Sequence, residues 1–285
     1  MNEGIKMKIE KVIDMLWGSH RPLPPDMRTC DQLQFGDLTK ECTGIVLTCS
    51  PSCDVIRQAS ALGCNLIIGH EPLFYDGWDD TAWQAGDRVL SAKRRLLMET
   101  GMCVVRDHDH MHNDDPDGIF SGLIAELGWE SYAQPSKPGS GFLFRLPQTT
   151  VGQVAEHVAR VMHIPGMRII GDPDLAVERV AILGHFLGSA WDQQQLRQID
   201  EADVQLIIPG EVIDWTITAY VRDAISTGRP MAMLNVGHFN LEEPGMRHMT
   251  AKIKKLVGES LPVHFIQSGD AFRWLDTGHG LNRKG

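Results

Sequence analysis

The sequence predicts an α/β fold with two domains. Short apolar segments typical of buried strands alternate with longer segments in which apolar residues recur at helical spacing. A stretch rich in Pro, Gly and Ser, Ala133–Gly141, interrupts this alternation and separates two series of elements. With 285 residues, the chain is long enough for one large domain or two smaller ones, and the interruption favours two.

The first series begins with a helix over Lys8–Trp17, in which Ile9, Val12, Ile13 and Leu16 share one side. Glycines at the ends of the next two helices are typical helix terminators. The predicted order after the first helix is strand Gly44–Thr48, helix Asp54–Leu62, strand Leu66–Ile68, helix Gln84–Thr100, strand Met102–Val105 and helix Gly118–Gly128.

The second series follows the interruption with the same alternation. It is predicted to contain strand Gly141–Leu146, helix Val151–Met162, strand Met167–Ile170, strands Val180–Leu183 and Val204–Ile208, helix Asp214–Thr227 and strand Met231–Val236. The last strand leads into His238 and Glu242, two candidate metal ligands. Because other candidate ligands lie in the first series, we expect this strand to return to the first domain. The predicted organisation is a metal-binding α/β domain over residues 1–135 and 231–285 with a second α/β domain, residues 141–230, inserted, both of the three-layer sandwich type.

Composition excludes several classes of protein. A formal net charge of −10 argues against a non-specific nucleic-acid or membrane surface. No window approaches the ~18 apolar residues of a membrane span, and Met1–Ile9 lacks a secretory signal's apolar core. The six cysteines form no Cys-x-x-Cys pair, so reduced thiols in the cytoplasm are the better interpretation.

Three distant segments each end a strand-like stretch with histidine and a carboxylate: Gly69-His70-Glu71, His110-Met111-His112-Asn113-Asp114 and Gly237-His238-Phe239-Asn240-Leu241-Glu242. Imidazole with carboxylate suits divalent Zn, Mn, Fe or Co. If folding brings the three segments together, six ligands converge, more than one ion usually needs. We therefore expect a two-metal centre with His70, Glu71, His110, Asp114, His238 and Glu242 as ligands.

Each segment also has a simpler interpretation. His70-Glu71 alone fits a polar turn, and His238-x-x-x-Glu242 is a common spacing. Asp107–Asp115 fits a solvated acidic loop. Its four aspartates, however, would repel one another unless a positive charge neutralises them. A third Gly-His, Gly184-His185, lacks a nearby carboxylate and fits a turn histidine. No Walker-type loop and no convincing Gly-x-Gly-x-x-Gly is present, which argues against a dinucleotide-binding fold.

Together these residues resemble the Nif-three-like dinuclear metal-centre family, many members of which are called type two GTP-cyclohydrolase-like proteins. The resemblance rests on the three segments, in order, and on four looser matches: Gln34–Asp37, Val180–Ser189, Ile208–Glu211 and Phe265–Asp270. Three departures matter, one of which is that His108, Asp109 and His112 are additional potential ligands. Glu71 stands where the family has a second histidine, which favours a harder ion such as Mn or Fe. Cys30-Asp31-Gln32 stands where many members have Trp-Asp-Asn.

Within Asp107–Asp115 the register is open. The resemblance prefers His110 with Asp114, and the alternative pairs His108 with His112, at the same i, i+4 spacing. With the preferred register, Asp114 and Glu242 would be shared by two ions and His70, His110 and His238 would be terminal ligands. Glu71 would complete the shell or act as a general base. Arg94, Arg95 and Arg106 are candidates for binding an anionic group, although ordinary surface charge explains them more simply.

The resemblance implies a homo-hexamer of two-domain subunits. The expected activity is metal-dependent hydrolysis, in which a hydroxide bridging two divalent transition-metal ions attacks a small nucleotide-like, phosphoester or cyclic-amide substrate. The alternative is a non-catalytic metal-binding protein, such as a regulatory scaffold or metal chaperone, whose site is closed by protein ligands.

Overall fold

The structure, a computed structural model, describes residues 7–136 and 141–273. The described residues form two β-sheets with accompanying helices, so the predicted α/β class is confirmed. They divide into two units. The first lies within Met1–Glu126 and Glu242–Ser268, and the second within Leu127–Leu241 and Gly269–Gly285. No helix in the described part of the chain is long and apolar enough to cross a membrane.

The predicted helices and strands are present in their predicted order, and the structure adds others, among them the helices Ala190–Glu201 and His238–Val257. In chain order they are α1 (Ile9–Trp17), β1 (Leu33–Phe35), β2 (Ile45–Thr48), α2 (Cys53–Ala61), β3 (Leu66–Gly69), α3 (Arg88–Thr100), β4 (Cys103–Arg106), α4 (Asp109–Asn113), α5 (Gly118–Leu127), β5 (Ala133–Gln134), β6 (Phe142–Thr150), α6 (Val151–Met162), β7 (Arg168–Ile170), β8 (Ala176–Leu183), α7 (Ala190–Glu201), β9 (Leu206–Pro209), α8 (Ala219–Ser226), β10 (Ala232–Asn235), α9 (His238–Val257) and β11 (Val263–Phe265).

The first unit is built on a five-stranded sheet with strand order β1-β4-β3-β2-β11. Strands β2, β3, β4 and β11 are parallel, and β1 is antiparallel to β4. Gly69 at the end of β3 lies opposite Arg106 at the end of β4. The residues that follow, His70 and Asp107, therefore leave the sheet side by side, at the carboxyl edge where α/β proteins collect functional groups.

Apolar residues of the first sheet pack against apolar residues of the helices that cover it. Val46, Ile67 and Val104 from three neighbouring strands form one buried cluster with Ile56 of α2 and Leu97 of α3. Burial of each such side chain stabilises the fold by about 1.5–3 kcal/mol. The predicted helix Gln84–Thr100 begins later, at Arg88, because the Asp87 side chain accepts the backbone N–H of Leu90 and caps it there.

Helices α5 and α9 cross closely within the first unit because glycine stands at the crossing on both. A Cβ at Gly245 would lie 2.4 Å from the carbonyl oxygen of Ile119, and a Cβ at Gly122 would lie 2.9 Å from the Cα of Gly245. At Gly245 backbone therefore packs directly against backbone, and at Gly122 the backbone of Gly245 and the side chain of His248 both approach closely. Glu242, one turn before Gly245, is thereby held beside the segment that α5 follows.

The second unit contains a six-stranded sheet with order β5-β6-β8-β9-β10-β7. Strand β10 pairs in parallel with β9 and antiparallel with β7. The expectation that the strand Met231–Val236 returns to the first domain is therefore wrong. A short, fully buried apolar strand fits either sheet, and only its partners, distant in sequence, decide where it pairs.

The predicted interruption, Ala133–Gly141, is only partly irregular. Its first two residues form β5, which pairs with β6, and residues 137–140 lie outside the described part of the chain. The helix predicted over Asp214–Thr227 is divided into a short π-helical turn, Asp214–Thr218, and α8, because Thr216 has non-helical backbone angles. The independence of the two units as domains stays a prediction.

Candidate metal centre

Three histidine rings converge in the first unit. The ring centroid of His70, which follows β3, is 4.4 Å from that of His108 and 5.0 Å from that of His112. The rings of His108 and His112 are 4.8 Å apart. His108 immediately precedes α4 and His112 lies in its last turn, so the i, i+4 spacing places both on the face towards His70. One ligand atom from each lies within 4.8 Å of the others.

The hydrogen bonds of these rings define which nitrogen faces the centre. Nδ1 of His70 donates to the carbonyl oxygen of Asp107 at 3.3 Å, and Nδ1 of His108 lies 2.9 Å from Oδ1 of Asp109. Nδ1 of His112 lies 2.9 Å from Oδ2 of Asp117. A carbonyl or carboxylate oxygen only accepts, so in each ring the proton sits on Nδ1. In the neutral rings Nε2 is then the nitrogen that carries the lone pair, the state a metal ligand requires.

Two glutamates complete the convergence. Oε2 of Glu242 lies 3.5 Å from Nε2 of His70, and ligand atoms of His70, Glu71 and Glu242 all lie within 4.8 Å of one another. His70, Glu71 and Glu242 are buried, at 0%, 8% and 2% exposure. Buried carboxylates need a compensating charge. For Glu71 part of it comes from Arg106, whose Nη2 lies 3.6 Å from Oε2.

The pKa of His112 reflects the negative charge of the carboxylates around it. Burial opposes a charged imidazole, but the hydrogen bond and charge of Asp117, together with the charges of Glu242 and Glu71, raise the pKa of His112 to about 9. The negative charge of these carboxylates thus favours a cation at His112. Three imidazole nitrogens with two buried carboxylates are a donor set that fits a divalent transition metal.

A sequence model of the family DUF34/NIF3 (NGG1p interacting factor 3) matches residues 28–270. The chain belongs to the DUF34/NIF3 family. The predicted Nif-three-like membership is therefore confirmed.

Relatives of this DUF34/NIF3 chain agree with the assignment. It is 25% identical over 246 residues to a protein from Clostridium perfringens named GTP cyclohydrolase 1 type 2 homolog, covering 84% of this chain and 87% of the relative. The fold is similar to that of Staphylococcus aureus protein SA1388, with a TM-score of 0.70 and 18% identity, covering 95% of this chain and all of that chain, 100%. It is also similar to a Bacillus cereus protein related to NIF3, with a TM-score of 0.70 and 15% identity over 94% of this chain and 99% of that one.

His110 and Asp114 lie elsewhere than the preferred register predicts. Nδ1 of His110 lies 2.6 Å from Oδ2 of Asp31, and Oδ2 of Asp114 lies 2.7 Å from Nδ1 of His20. Thus the structure does not bring His110 and Asp114 to His70, and the alternative register, His108 with His112, is the one it brings there. Both pairs have the same spacing, and the helix turns only one of its faces towards β3.

His238 belongs to the second unit, at the start of α9. Its ring centroid is 4.3 Å from that of His185, and its Nδ1 lies 3.5 Å from Oε2 of Glu211. His185 stands in the Gly-rich turn after β8, where its Nδ1 accepts the backbone N–H of Glu211 at 2.9 Å. The neutral ring of His185 therefore carries its proton on Nε2, the reverse of the three converging rings. The ligand role of His238 stays a prediction.

The arginine candidates differ in their surroundings. Arg106 is buried and donates to the carbonyl oxygens of His70 and Gly77, so its guanidinium braces the loop after β3 and pairs with Glu71. Nη2 of Arg94 donates to the Thr81 hydroxyl at 2.6 Å, and Arg95 is exposed on α3. Arg106 thus contacts two candidate ligands, His70 and Glu71. Its place at the end of a predicted strand did not indicate these contacts.

Three further residues of the site were missed: His20, Asp31 and Asp117. His20 is buried with its Nε2 3.1 Å from Oδ2 of Asp107, and Asp31 lies against the start of α4. Asp117 was overlooked as one more acidic residue before Gly118. A signal existed for Asp31, since it is the residue that this chain shares with the Trp-Asp-Asn segment of its family.

Proposed function

We propose that this chain is a metal-dependent hydrolase that acts on a small nucleotide-like, phosphoester or cyclic-amide substrate. The observation that carries the proposal is the convergence of three Nε2 atoms, each selected by an oxygen acceptor on Nδ1, beside two buried carboxylates. Such orientation is typical of histidines that bind metal. The name of the Clostridium perfringens relative supports, by analogy alone, a substrate of the cyclic-amidine or nucleotide class.

We propose His70, His108, His112, Glu71 and Glu242 as the metal-binding residues in the first unit. When bound, divalent ions would supply a Lewis acid and an activated water. Two ions would have to share carboxylate oxygens. Asp114 is paired with His20. The role predicted for Asp114 and Glu242 would therefore fall to Glu71 and Glu242. His238 remains the predicted sixth ligand, and Zn, Mn and Fe all suit this set.

Glu71 is the residue best suited to move a proton. It sits beside His70 and Glu242, and Nη2 of Arg106 lies 3.6 Å from its Oε2. If it does not bind metal, Glu71 can accept a proton from the attacking water. Access is available, because 24% of the His108 side chain and 25% of the His112 side chain are exposed.

A specific observation also favours the second candidate, a metal-binding protein without turnover. Five donors converge in the first unit alone, and three of them are nearly inaccessible. A site closed by protein ligands leaves no position for water or substrate. A homo-hexamer, as the family resemblance implies, stays part of the proposal for either candidate, and light scattering of the purified protein tests it.

Metal analysis of chelator-free preparations, combined with a hydrolysis screen over nucleotides, phosphodiesters and cyclic amides, tests the proposal. We expect roughly two equivalents of transition metal per chain in the two-ion form. His108→Ala and His112→Ala should lose metal, whereas His157→Ala, which removes a half-buried ring stacked on Trp129 in the second unit, should retain it. Metal without turnover on any substrate would favour the non-catalytic candidate.

The same experiment separates the two registers. His110→Ala and Asp114→Ala should retain bound metal, although more weakly held, because neither side chain faces His70. Complete loss of metal in these two variants, with full retention in His108→Ala and His112→Ala, would show that the ligand set is wrong. His238→Ala tests the remaining sequence-based prediction, and undiminished stoichiometry in that variant would contradict it.

A further inference from the structure

The segment between α1 and β1, which we call the strap (residues 20–31), wraps the short helix that presents His108 and His112. Helix α4 has only five residues, too few to be stable alone. Its two ligand histidines need a fixed orientation if they are to meet His70. Asp117 orients the His112 ring, and the strap supplies contacts to the helix backbone and to the residues on either side of it.

Asp31 holds the beginning of the helix. Its Oδ1 accepts the backbone N–H groups of His108 at 2.6 Å and Asp109 at 3.0 Å, and its Oδ2 accepts that of His110 at 2.8 Å. Three successive N–H groups at a helix start have no partner within the helix. One buried carboxylate satisfies all three, which fixes the backbone that carries the His108 ring.

His20 holds both ends of the same helix. Its Nε2 lies 3.1 Å from Oδ2 of Asp107, just before the helix, and its Nδ1 lies 2.7 Å from Oδ2 of Asp114, just after it. The side chain of His20 is fully buried. A single ring therefore links Asp107 and Asp114, which lie on either side of α4.

The backbone of the strap adds further bonds. The N–H of Arg21 donates to Oδ1 of Asp114 at 2.8 Å, and the N–H of Cys30 donates to Oδ2 of Asp109 at 2.9 Å. Asp109 in turn holds Nδ1 of His108. The strap thus reaches the His108 ring by two routes, through the helix backbone and through the carboxylate that orients the ring.

We propose that His20 and Asp31 are positioning residues that hold His108 and His112 in the geometry for binding metal. This inference rests on the proposed metal centre. Burying this many polar groups is costly unless they are nearly all paired, and an apolar contact would have held a surface helix at lower cost. Precise support of this kind is what a metal site requires from the residues behind its ligands.

The test uses Asp31→Asn, Asp31→Ala and His20→Gln in the full chain. Zn²⁺ affinity is measured by competition with a chelator, and Co²⁺ added to metal-free protein reports ligand geometry by its visible absorption. Loss of a supporting partner typically weakens metal binding 10–100-fold. We expect weakening of this order, an altered Co²⁺ spectrum, and faster amide hydrogen exchange at His108, Asp109 and His110 in metal-free Asp31→Ala.

Asp192→Asn is the matched control. Asp192 is a buried carboxylate that accepts the backbone N–H groups of Gly188 and Ser189 at the start of α7 in the second unit. It should lower stability without changing the Co²⁺ spectrum. Wild-type affinity and spectrum in the Asp31 and His20 variants would overturn the positioning role. Failure of the wild-type protein to bind Zn²⁺ or Co²⁺ would instead overturn the proposed function.

Discussion

Oδ2 of Asp117 lies 2.9 Å from Nδ1 of His112, while Oδ1 of the same carboxylate accepts the backbone N–H groups of Ile119 and Phe120. One side chain therefore selects the tautomer of a candidate ligand and caps the helix that follows it. The two oxygens have separate tasks, which makes them separable by mutation.

Asp117→Asn should weaken metal binding while leaving α5 capped. The amide oxygen can keep the N–H groups of Ile119 and Phe120, but the amide nitrogen would donate to Nδ1 of His112 and move the ring proton to Nε2. We expect a 10–100-fold loss of metal affinity by chelator competition. Asp87→Asn, which alters a helix cap with no histidine contact, is the control. Equal metal affinity in both variants would contradict the tautomer argument.

Gly245→Ala should destabilise the protein although alanine favours helices. The gain from helix propensity is about 1 kcal/mol. The new Cβ would lie 2.4 Å from the Ile119 carbonyl oxygen, a backbone atom that no rotamer change can move. We expect a net loss of about 1–3 kcal/mol in the free energy of unfolding, measured by urea denaturation. Gly77→Ala, where a Cβ meets nothing within 4 Å, should change stability little. Equal stabilities would show that the helices cross with more space than this.

Lys93 should make stability rise with pH in the alkaline range. Burial lowers the pKa of Lys93 from 10.5 to about 8, with its Nζ donating to the Leu73 carbonyl oxygen. Between these pH values the unfolded chain binds the proton and the folded chain does not, so the free energy of unfolding increases with pH. The increase should be about 3 kcal/mol at most. Lys93→Met should lack it when both proteins are unfolded in urea from pH 8 to 10.5. Parallel pH profiles would refute the assignment.

The sequence identified the ligand segments more securely than the ligands. His70 and Glu71 could be proposed because they follow a strand, and Glu242 because it lies four residues after His238, and the structure brings His70, Glu71 and Glu242 together. In Asp107–Asp115, periodicity placed His108 with His112 and His110 with Asp114, but the two pairs have identical spacing. The strap decides between them, since Asp31 and His20 bind one side of the helix and leave the other towards His70.

Strand β10 shows the same limit at the level of the fold. Its buried apolar residues predicted a strand correctly, but its pairing with β7 and β9 depends on registers that no local pattern contains. Helix α9 was not predicted at all, because Pro244 and Gly245 interrupt the usual helical signals. Gly245 is nonetheless required there, for the close approach to Ile119. Local sequence patterns therefore failed to predict structure at positions where packing against distant parts of the chain determines which residue is present.

The order in which the first unit is assembled has a consequence for synthesis on the ribosome. A nascent chain that has emerged only as far as Glu126 contains the strap and all three converging histidines, yet it lacks Glu242 and the edge strand β11. Translation must run through Leu127–Leu241, the larger segment of the second unit, before that carboxylate and strand exist. The complete set of candidate donors therefore exists only once synthesis has passed Glu242, and the N-terminal part alone cannot provide it.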